Sequence, residues 1–105
     1  MPNTRIIILE DESSIAEDLE FKLAMLGYEV IAVLNKAEDA MEVIDELRPD
    51  LFLVDIGLDG EMDGIEFSKE LNNRDIRKPV IYTTAAADEK TLERAKITDP
   101  AAYLT

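Results

Sequence analysis

Short apolar segments alternate with longer amphipathic ones along the whole chain, and this alternation limits the fold more than composition does. Five apolar segments of strand length are separated by segments whose apolar residues recur at helical spacing. The apolar segments are 5–9, 29–34, 51–54, 80–84 and 101–105. Strands separated by single helices pair in parallel through right-handed crossovers, which gives an open sheet with helices on both faces. The sequence therefore predicts a doubly wound, five-stranded parallel α/β fold.

The first and third strands are predicted to be central, because neither alternates apolar with polar residues. We expect Gly27 to end the first helix, Asn35 to cap the second, and a fourth helix to run from Asp88 to about Lys96. The predicted inner stripes are Ile15, Leu19, Leu23 and Leu26 in the first helix, Ala37, Ala40, Met41, Ile44 and Leu47 in the second, and Ile65, Phe67, Ser68 and Leu71 in the third.

Charge and residue usage exclude several classes of function. The 105 residues fit one domain, and the net charge of -13 argues against a nucleic-acid or anionic-membrane partner. The absence of cysteine and histidine excludes Ser-His-Asp and Cys-His catalysis and the usual zinc sites. No apolar segment is long enough to span a bilayer, so a cytoplasmic location is the default expectation.

Polar side chains follow three of the predicted strands at their carboxyl ends, where ligands bind in sheets of this kind. The first strand runs into Glu10-Asp11-Glu12, the third into Asp55, and the fourth ends in Thr83-Thr84. Clustered carboxylates raise one another's pKa, and a hard cation held by oxygen ligands would relieve that repulsion. The sequence therefore predicts a Mg²⁺ site at this edge of the sheet.

Asp55 is the best candidate for a nucleophile, because a carboxylate on a rigid strand beside a metal can attack phosphorus. The backbone of Gly57 can approach the metal closely, since glycine has no Cβ. Thr84 lies one strand away, and its hydroxyl could donate to a phosphoryl oxygen. We therefore predict a site that accepts a phosphoryl group.

An ordered set of short motifs resembles the receiver domains of response regulators over essentially the whole chain. The motifs are Ile-Ile-Ile-Leu-Glu-Asp-Glu at 6–12, Pro-Asp-Leu-Phe-Leu-Val-Asp at 49–55, Met-Asp-Gly at 62–64, Pro-Val-Ile-Tyr-Thr-Thr-Ala at 79–85 and Ala-Tyr at 102–103. The resemblance implies a flavodoxin-like strand order 2-1-3-4-5 and a regulator of a two-component phosphorelay. Such a regulator is not an enzyme, beyond catalysing its own phosphorylation and dephosphorylation.

The resemblance also implies a role for each site residue. Asp55 would accept the phosphoryl group from a phosphohistidine of a histidine kinase or phosphotransfer protein. Thr84 would be the switch hydroxyl, and Tyr103 the aromatic residue that changes rotamer with it. The implied Mg²⁺ ligands are Glu10, Asp11 as the closer of the two, Asp55 and the carbonyl of Gly57.

The chain departs from the family pattern at its end. The family places a lysine three residues after the aromatic residue of the fifth strand, followed by a fifth helix, whereas this chain stops at Thr105, one position short. The sequence therefore indicates a receiver domain over residues 1–105 that is truncated at its C-terminus and lacks the fifth helix. We expect impaired phosphorylation or coupling to Thr84, and an uncovered sheet face that leads to a homodimer or to marginal stability.

Each candidate residue also has a purely structural interpretation. The acids at 10–12 would place negative charge at the start of the first helix, with a capping box at 14–17. Asp55 would be a turn residue, Thr84 a β-forming residue and Tyr103 a core residue. The loop acids Asp59, Glu61 and Asp63 are interpreted as a solvated face, because they lack the spacing of a calcium loop.

Three rival functions share this architecture. An interaction module with a vestigial acidic pocket, a pseudo-receiver, is favoured by the missing lysine. A phosphohydrolase with an aspartyl nucleophile would usually carry a second acid at the position of Gly57. A nucleotide- or flavin-binding module is disfavoured, since neither G-x-G-x-x-G nor G-x-x-x-x-G-K-[ST] occurs.

Overall fold

Five parallel strands and three helices form the part of the chain that the structure describes. This computed structural model describes residues 4–58, 62–83 and 102–104, the last three for their backbone alone. The elements are β1 (Arg5–Leu9), α1 (Ser13–Met25), β2 (Glu29–Leu34), α2 (Ala37–Leu47), β3 (Leu51–Asp55), α3 (Gly64–Asn73), β4 (Val80–Thr83) and β5 (Ala102–Leu104). The fourth helix predicted from Asp88 to about Lys96 lies outside the described residues. None of the helices within the described segments has the length and apolar character needed to cross a membrane.

The strands form one sheet in the order β2-β1-β3-β4-β5, with every neighbouring pair parallel. This confirms the doubly wound fold and the predicted strand order. β1 and β3 lie inside the sheet, and all their residues except Arg5, Leu51 and Asp55 are buried. Both faces of an interior parallel strand are covered, which explains why these two segments carry apolar residues at successive positions.

Alternate residues of the central strands build two separate cores. Ile7, Leu9, Phe52 and Val54 face α2 and α3, where the rings of Phe52 and Phe67 meet edge to face with centroids 5.1 Å apart. The opposite face carries Ile6, Ile8 and Leu53, against which Leu19 and Leu23 of α1 pack. The inner stripes predicted for α2 and α3 are confirmed, with Ala37, Ala40, Ile44, Ile65, Phe67, Ser68 and Leu71 all buried.

The stripe predicted for α1 is wrong at two of its four positions. Ile15 is 38% exposed and Leu26 is 72% exposed, while Ala16 is the buried residue of this helix. α1 ends at Met25, so Leu26 lies at the C-cap, outside the helix, where it is exposed. Gly27 follows with φ +91°, a left-handed conformation that glycine adopts without strain, and this confirms the predicted stop.

The cap predicted for α2 and the capping box considered as an alternative for α1 do not form. The residue that precedes α2 is Lys36, not Asn35, and it has extended backbone without a side-chain cap. α1 begins one residue before Ser14, and its N-cap Glu12 makes no side-chain cap either, so the capping box suggested at 14–17 does not form. In both cases a polar residue lay one or two positions away from the true cap, where its side chain cannot reach the free N–H groups.

Candidate functional site

Three carboxylates meet beyond the carboxyl ends of β1 and β3. Leu9 pairs with Val54 across these strands, so the next residues along the chain, Glu10 and Asp55, emerge side by side. One carboxylate oxygen from each of Glu10, Asp11 and Asp55 lies within 4.8 Å of the other two. The chain leaves β1 for one edge of the sheet and returns at β3 toward the other, which makes this the switch point of the topology.

Glu10 is the most deeply buried of the three acids, with 5% of its surface exposed. Burial, and then the negative charges of Asp55 and Asp11, raise the pKa of its carboxyl to about 7. The backbone N–H of Glu12 donates to Glu10 Oε1 at 3.2 Å, which opposes that rise. Full ionisation of the cluster is therefore costly without a counter-ion.

The donor set fits a hard divalent cation. Three carboxylates within reach of one point offer only oxygen ligands, and Mg²⁺ is bound in proteins by one or two carboxylates together with waters. A cation at this point would also offset the repulsion that raises the pKa of Glu10. The residues present are therefore compatible with Mg²⁺.

The carboxylate of Asp55 is oriented by the turn that follows it. The backbone N–H of Gly57 donates to Asp55 Oδ1 at 3.0 Å, an interaction typical of aspartate at the start of a turn. Asp55 is also paired with Thr83 in the sheet, and Ile56 N–H donates to the Thr83 carbonyl at 3.2 Å. The side chain thus ends a rigid strand and is fixed before any ligand binds.

Close packing requires glycine at position 64, a residue that was not assigned a role from its sequence context. A Cβ on Gly64 would collide with the carbonyl oxygen of Asp55 and would lie 2.9 Å from Val54 Cγ1. At Gly57, by contrast, an added Cβ would meet Asp55 Oδ1 at 3.8 Å, an ordinary contact. It is therefore Gly64 that lets the first turn of α3 lie directly against the backbone of Asp55.

Asp63 caps α3 and does not belong to a solvated face. Its Oδ1 accepts from Glu66 N–H at 2.8 Å, while Glu66 Oε1 accepts from Asp63 N–H at 3.1 Å. The two residues form a capping box, and the D-x-x-E spacing at 63–66 could have predicted it. The other two loop acids, Asp59 and Glu61, lie outside the described residues.

Of the two predicted switch residues, the structure describes only Tyr103, and that one for its backbone alone. Thr84 lies outside the described residues, directly after Thr83, which pairs with Asp55 on one side and with Leu104 on the other. Tyr103 lies in β5, where its backbone pairs with Tyr82. The switch roles of Thr84 and Tyr103 therefore stay predictions.

An acidic groove of about 490 Å³ opens beside the three carboxylates, between α1 and the end of β2. The residues that line it are Glu10, Asp11, Ser13, Ala16, Glu17, Glu20, Val33, Leu34 and Asn35. Among the described residues that line this groove, none has a basic side chain. The four acids of this lining, Glu10, Asp11, Glu17 and Glu20, therefore favour a cation over an anion in the groove.

Comparison with known proteins gives one consistent family. The sequence model of the response regulator receiver domain matches residues 6–105. The transcriptional regulatory protein PhoP of Bacillus subtilis, named for alkaline phosphatase synthesis, is 33% identical over 83% of the chain. The transcriptional regulatory protein PdtaR of Mycobacterium tuberculosis is 32% identical over 95% of the chain. The chain spans 35% and 48%, respectively, of the lengths of these two relatives.

Solved structures agree with the sequence comparison. The signal receiver domain of a modulated diguanylate cyclase from Desulfovibrio desulfuricans superimposes with a TM-score of 0.90 at 37% identity, over 98% of this chain and 81% of that one. The receiver domain of the response regulator NarL from Mycobacterium tuberculosis has the same TM-score of 0.90 at 21% identity and covers 99% of this chain and 84% of that one, which shows that the fold is shared.

Proposed function

Because this chain belongs to the response regulator receiver domain family, we propose that it is a switch in a two-component phosphorelay and that Asp55 is its phosphoacceptor. The observation that carries the proposal is the convergence of Glu10, Asp11 and Asp55 within 4.8 Å at the switch point of the sheet. Of these three acids, only Asp55 is itself the last residue of a buried central strand. Its carboxylate is therefore the acid best held for reaction with an incoming phosphoryl group.

In the proposed reaction a carboxylate oxygen of Asp55 attacks the phosphorus of a phosphohistidine on the donor protein. The new O–P bond forms as the N–P bond breaks, and the electron pair of that bond returns to the imidazole. Gly57 N–H holds Oδ1, so the carboxylate is oriented before the donor arrives. Glu10, Asp11, Asp55 and the carbonyl of Gly57 would hold Mg²⁺, which neutralises the charge of the phosphoryl oxygens.

The partner that follows from this chemistry is a histidine kinase or a histidine phosphotransfer protein. The relatives are regulators, not classical enzymes, so we expect at most one phosphoryl group per chain and no sustained turnover. A cytoplasmic location and residues 1–105 as the receiver unit remain predictions from the sequence. So does a homodimer through the sheet face, where Leu51 and Ile81 are only partly buried. The mass measured by light scattering at high protein concentration tests the dimer.

The phosphoacceptor is tested with a small phosphodonor such as acetyl phosphate in the presence of Mg²⁺. Intact mass spectrometry should show the gain of one phosphoryl group in the wild type and none in Asp55→Asn. Asp45→Asn changes an exposed aspartate of α2 in the same way and should behave as the wild type. Addition of EDTA should abolish the gain. Release of many phosphates per chain would identify a phosphohydrolase, and the absence of any gain in the wild type would favour an interaction module.

A further inference from the structure

A buried hydrogen bond joins β4 to α3 on the face of the sheet that also carries Val54. Tyr82 is fully buried, and its hydroxyl donates to Ser68 Oγ at 2.7 Å. Ser68, which is 3% exposed, donates in turn to the carbonyl of Gly64 at 3.3 Å. A phenylalanine would fill the same space without a polar atom, and a buried hydroxyl stabilises a core little unless its hydrogen bond is made. What the tyrosine–serine pair adds is a directional contact between β4 and α3.

Both ends of this chain of hydrogen bonds reach the phosphoacceptor. Gly64, at one end, lies against the carbonyl of Asp55, and its N–H donates to the Ile56 carbonyl at 3.2 Å. Tyr82, at the other end, is followed by Thr83, the residue paired with Asp55 in the sheet. The path therefore runs from Asp55 through α3 to β4 and returns to Asp55.

Besides the hydrogen bond from Gly64 N–H to the carbonyl of Ile56, which ties the first residue of α3 to the loop after β3, the described contacts of α3 fix its position along the sheet less strictly than the bond from Tyr82 does. The capping box of Asp63 and Glu66 is internal to the start of the helix. The buried side chains of α3 pack through contacts that are not directional. The hydrogen bond from Tyr82 is a directional contact between the first two turns of α3 and the sheet.

We infer that Tyr82 and Ser68 are positioning residues for phosphoryl transfer, which hold α3 at the place where Gly64 supports the backbone of Asp55. This inference rests on the function proposed above. Neither residue touches the phosphoryl group. Loss of their hydrogen bond lets the first turns of α3 shift on the sheet, and the peptide groups from Asp55 to Gly57 shift with them.

The test compares variants that remove the bond with variants that do not. Tyr82→Phe removes the donor and keeps the ring, Ser68→Ala removes the acceptor, and Ser68→Thr keeps a hydroxyl. Ile44→Val shortens a buried side chain of α2 and serves as a control for lost stability alone. Tyr28→Phe removes the hydroxyl of a tyrosine that is 41% exposed. Thermal unfolding monitored by circular dichroism is used to choose an assay temperature at which every variant is folded.

Two quantities are measured for each variant: the rate of phosphorylation by acetyl phosphate at saturating Mg²⁺, and the amide chemical shifts of the loop at residues 55–58. Tyr82→Phe and Ser68→Ala should each slow phosphorylation by about three- to tenfold, the scale expected for a small misplacement of a reacting group. The double variant should be no slower than either single one, because both remove the same interaction. Ser68→Thr should retain most of the rate.

The inference is overturned if Tyr82→Phe and Ser68→Ala react at the rate of Ile44→Val, since the bond would then contribute to stability alone. It is also overturned if the amides of Ile56 and Gly57 shift no more in Tyr82→Phe than in Ile44→Val. If the wild type itself takes up no phosphoryl group, the proposed function fails, and the amide shifts still decide whether Tyr82 positions the loop.

Discussion

Glu10 links the stability of the metal-free protein to pH. Burial, together with the charges of Asp55 and Asp11, raises its pKa from 4.5 to about 7, so the folded state holds this proton more tightly than the unfolded chain does. An acid with a raised pKa lowers stability as it ionises. Its contribution is therefore most favourable below pH 4.5, declines as the pH rises and is lost above about 7.

We predict that Glu10→Gln removes this decline, because glutamine fills a similar space without a titrating proton. In EDTA, the wild type should lose stability between pH 4.5 and about 7 relative to Glu10→Gln. Above neutral pH, the change in the free energy of unfolding of the wild type relative to Glu10→Gln should reach about 1–3 kcal/mol, since each unit of pKa corresponds to about 1.4 kcal/mol. The free energy of unfolding is measured by urea denaturation, monitored by circular dichroism, at several pH values. Glu42→Gln, at an exposed position of α2, should keep the wild-type slope, and an unchanged slope in Glu10→Gln would contradict the prediction.

Asp11 is the acid whose removal should affect metal binding with the least effect on packing, since it is only partly buried and lies beyond the end of β1. We predict that Asp11→Asn weakens the binding of Mg²⁺ at least about tenfold, because loss of a ligand should cost no less than loss of a supporting residue. Isothermal titration calorimetry with Mg²⁺ measures the affinity. Asp39→Asn, an exposed aspartate of α2, is the matched control. Equal affinities in Asp11→Asn and the wild type would remove Asp11 from the ligand set.

Among the elements, the strands and the buried stripes of α2 and α3 were predicted well, whereas the stripe of α1 and the helix caps were not. Strands and stripes follow from periods that extend over several residues, so a single misplaced residue does not hide them. A helix start depends on the backbone conformation of one residue, as Lys36, Glu12 and Asp63 show. The acidic site was foreseen because strand ends of parallel sheets converge by rule. The contacts of Gly64 and the hydrogen bond between Ser68 and Tyr82 were not predicted, because they exist only after α3 packs on the sheet.

The capping box of α3 gives a prediction at this scale. Asp63→Ala should lower the free energy of unfolding by about 1 kcal/mol, since it leaves the N–H of Glu66 without its acceptor. Asp63→Ser keeps a side-chain oxygen at the N-cap and should cost only a fraction of that. Urea denaturation in EDTA measures both. Equal losses in the two variants would show that the carboxylate acts otherwise than as a cap.

The whole molecule carries a net charge of -13, and three of its acids converge on one point. A chain with this excess of one sign is destabilised by its own repulsion when folded, and salt screens that repulsion over about 8 Å at physiological ionic strength. Two different effects of cations are therefore expected. Monovalent salt acts on the total charge, whereas Mg²⁺ acts in addition at the cluster of Glu10, Asp11 and Asp55.

We predict that the melting temperature in EDTA rises as NaCl is increased from about 0.01 to 0.15 M, because the Debye length falls across that range. At equal ionic strength and without EDTA, Mg²⁺ should raise it further by binding the folded state alone. Asp11→Asn should keep the response to NaCl and lose most of the extra response to Mg²⁺. Glu42→Lys reduces the net negative charge away from the site, so it should weaken the NaCl response and leave the Mg²⁺ response intact. If Mg²⁺ stabilised the wild type and Asp11→Asn equally, its effect would be general screening. The cluster would then not be a metal site.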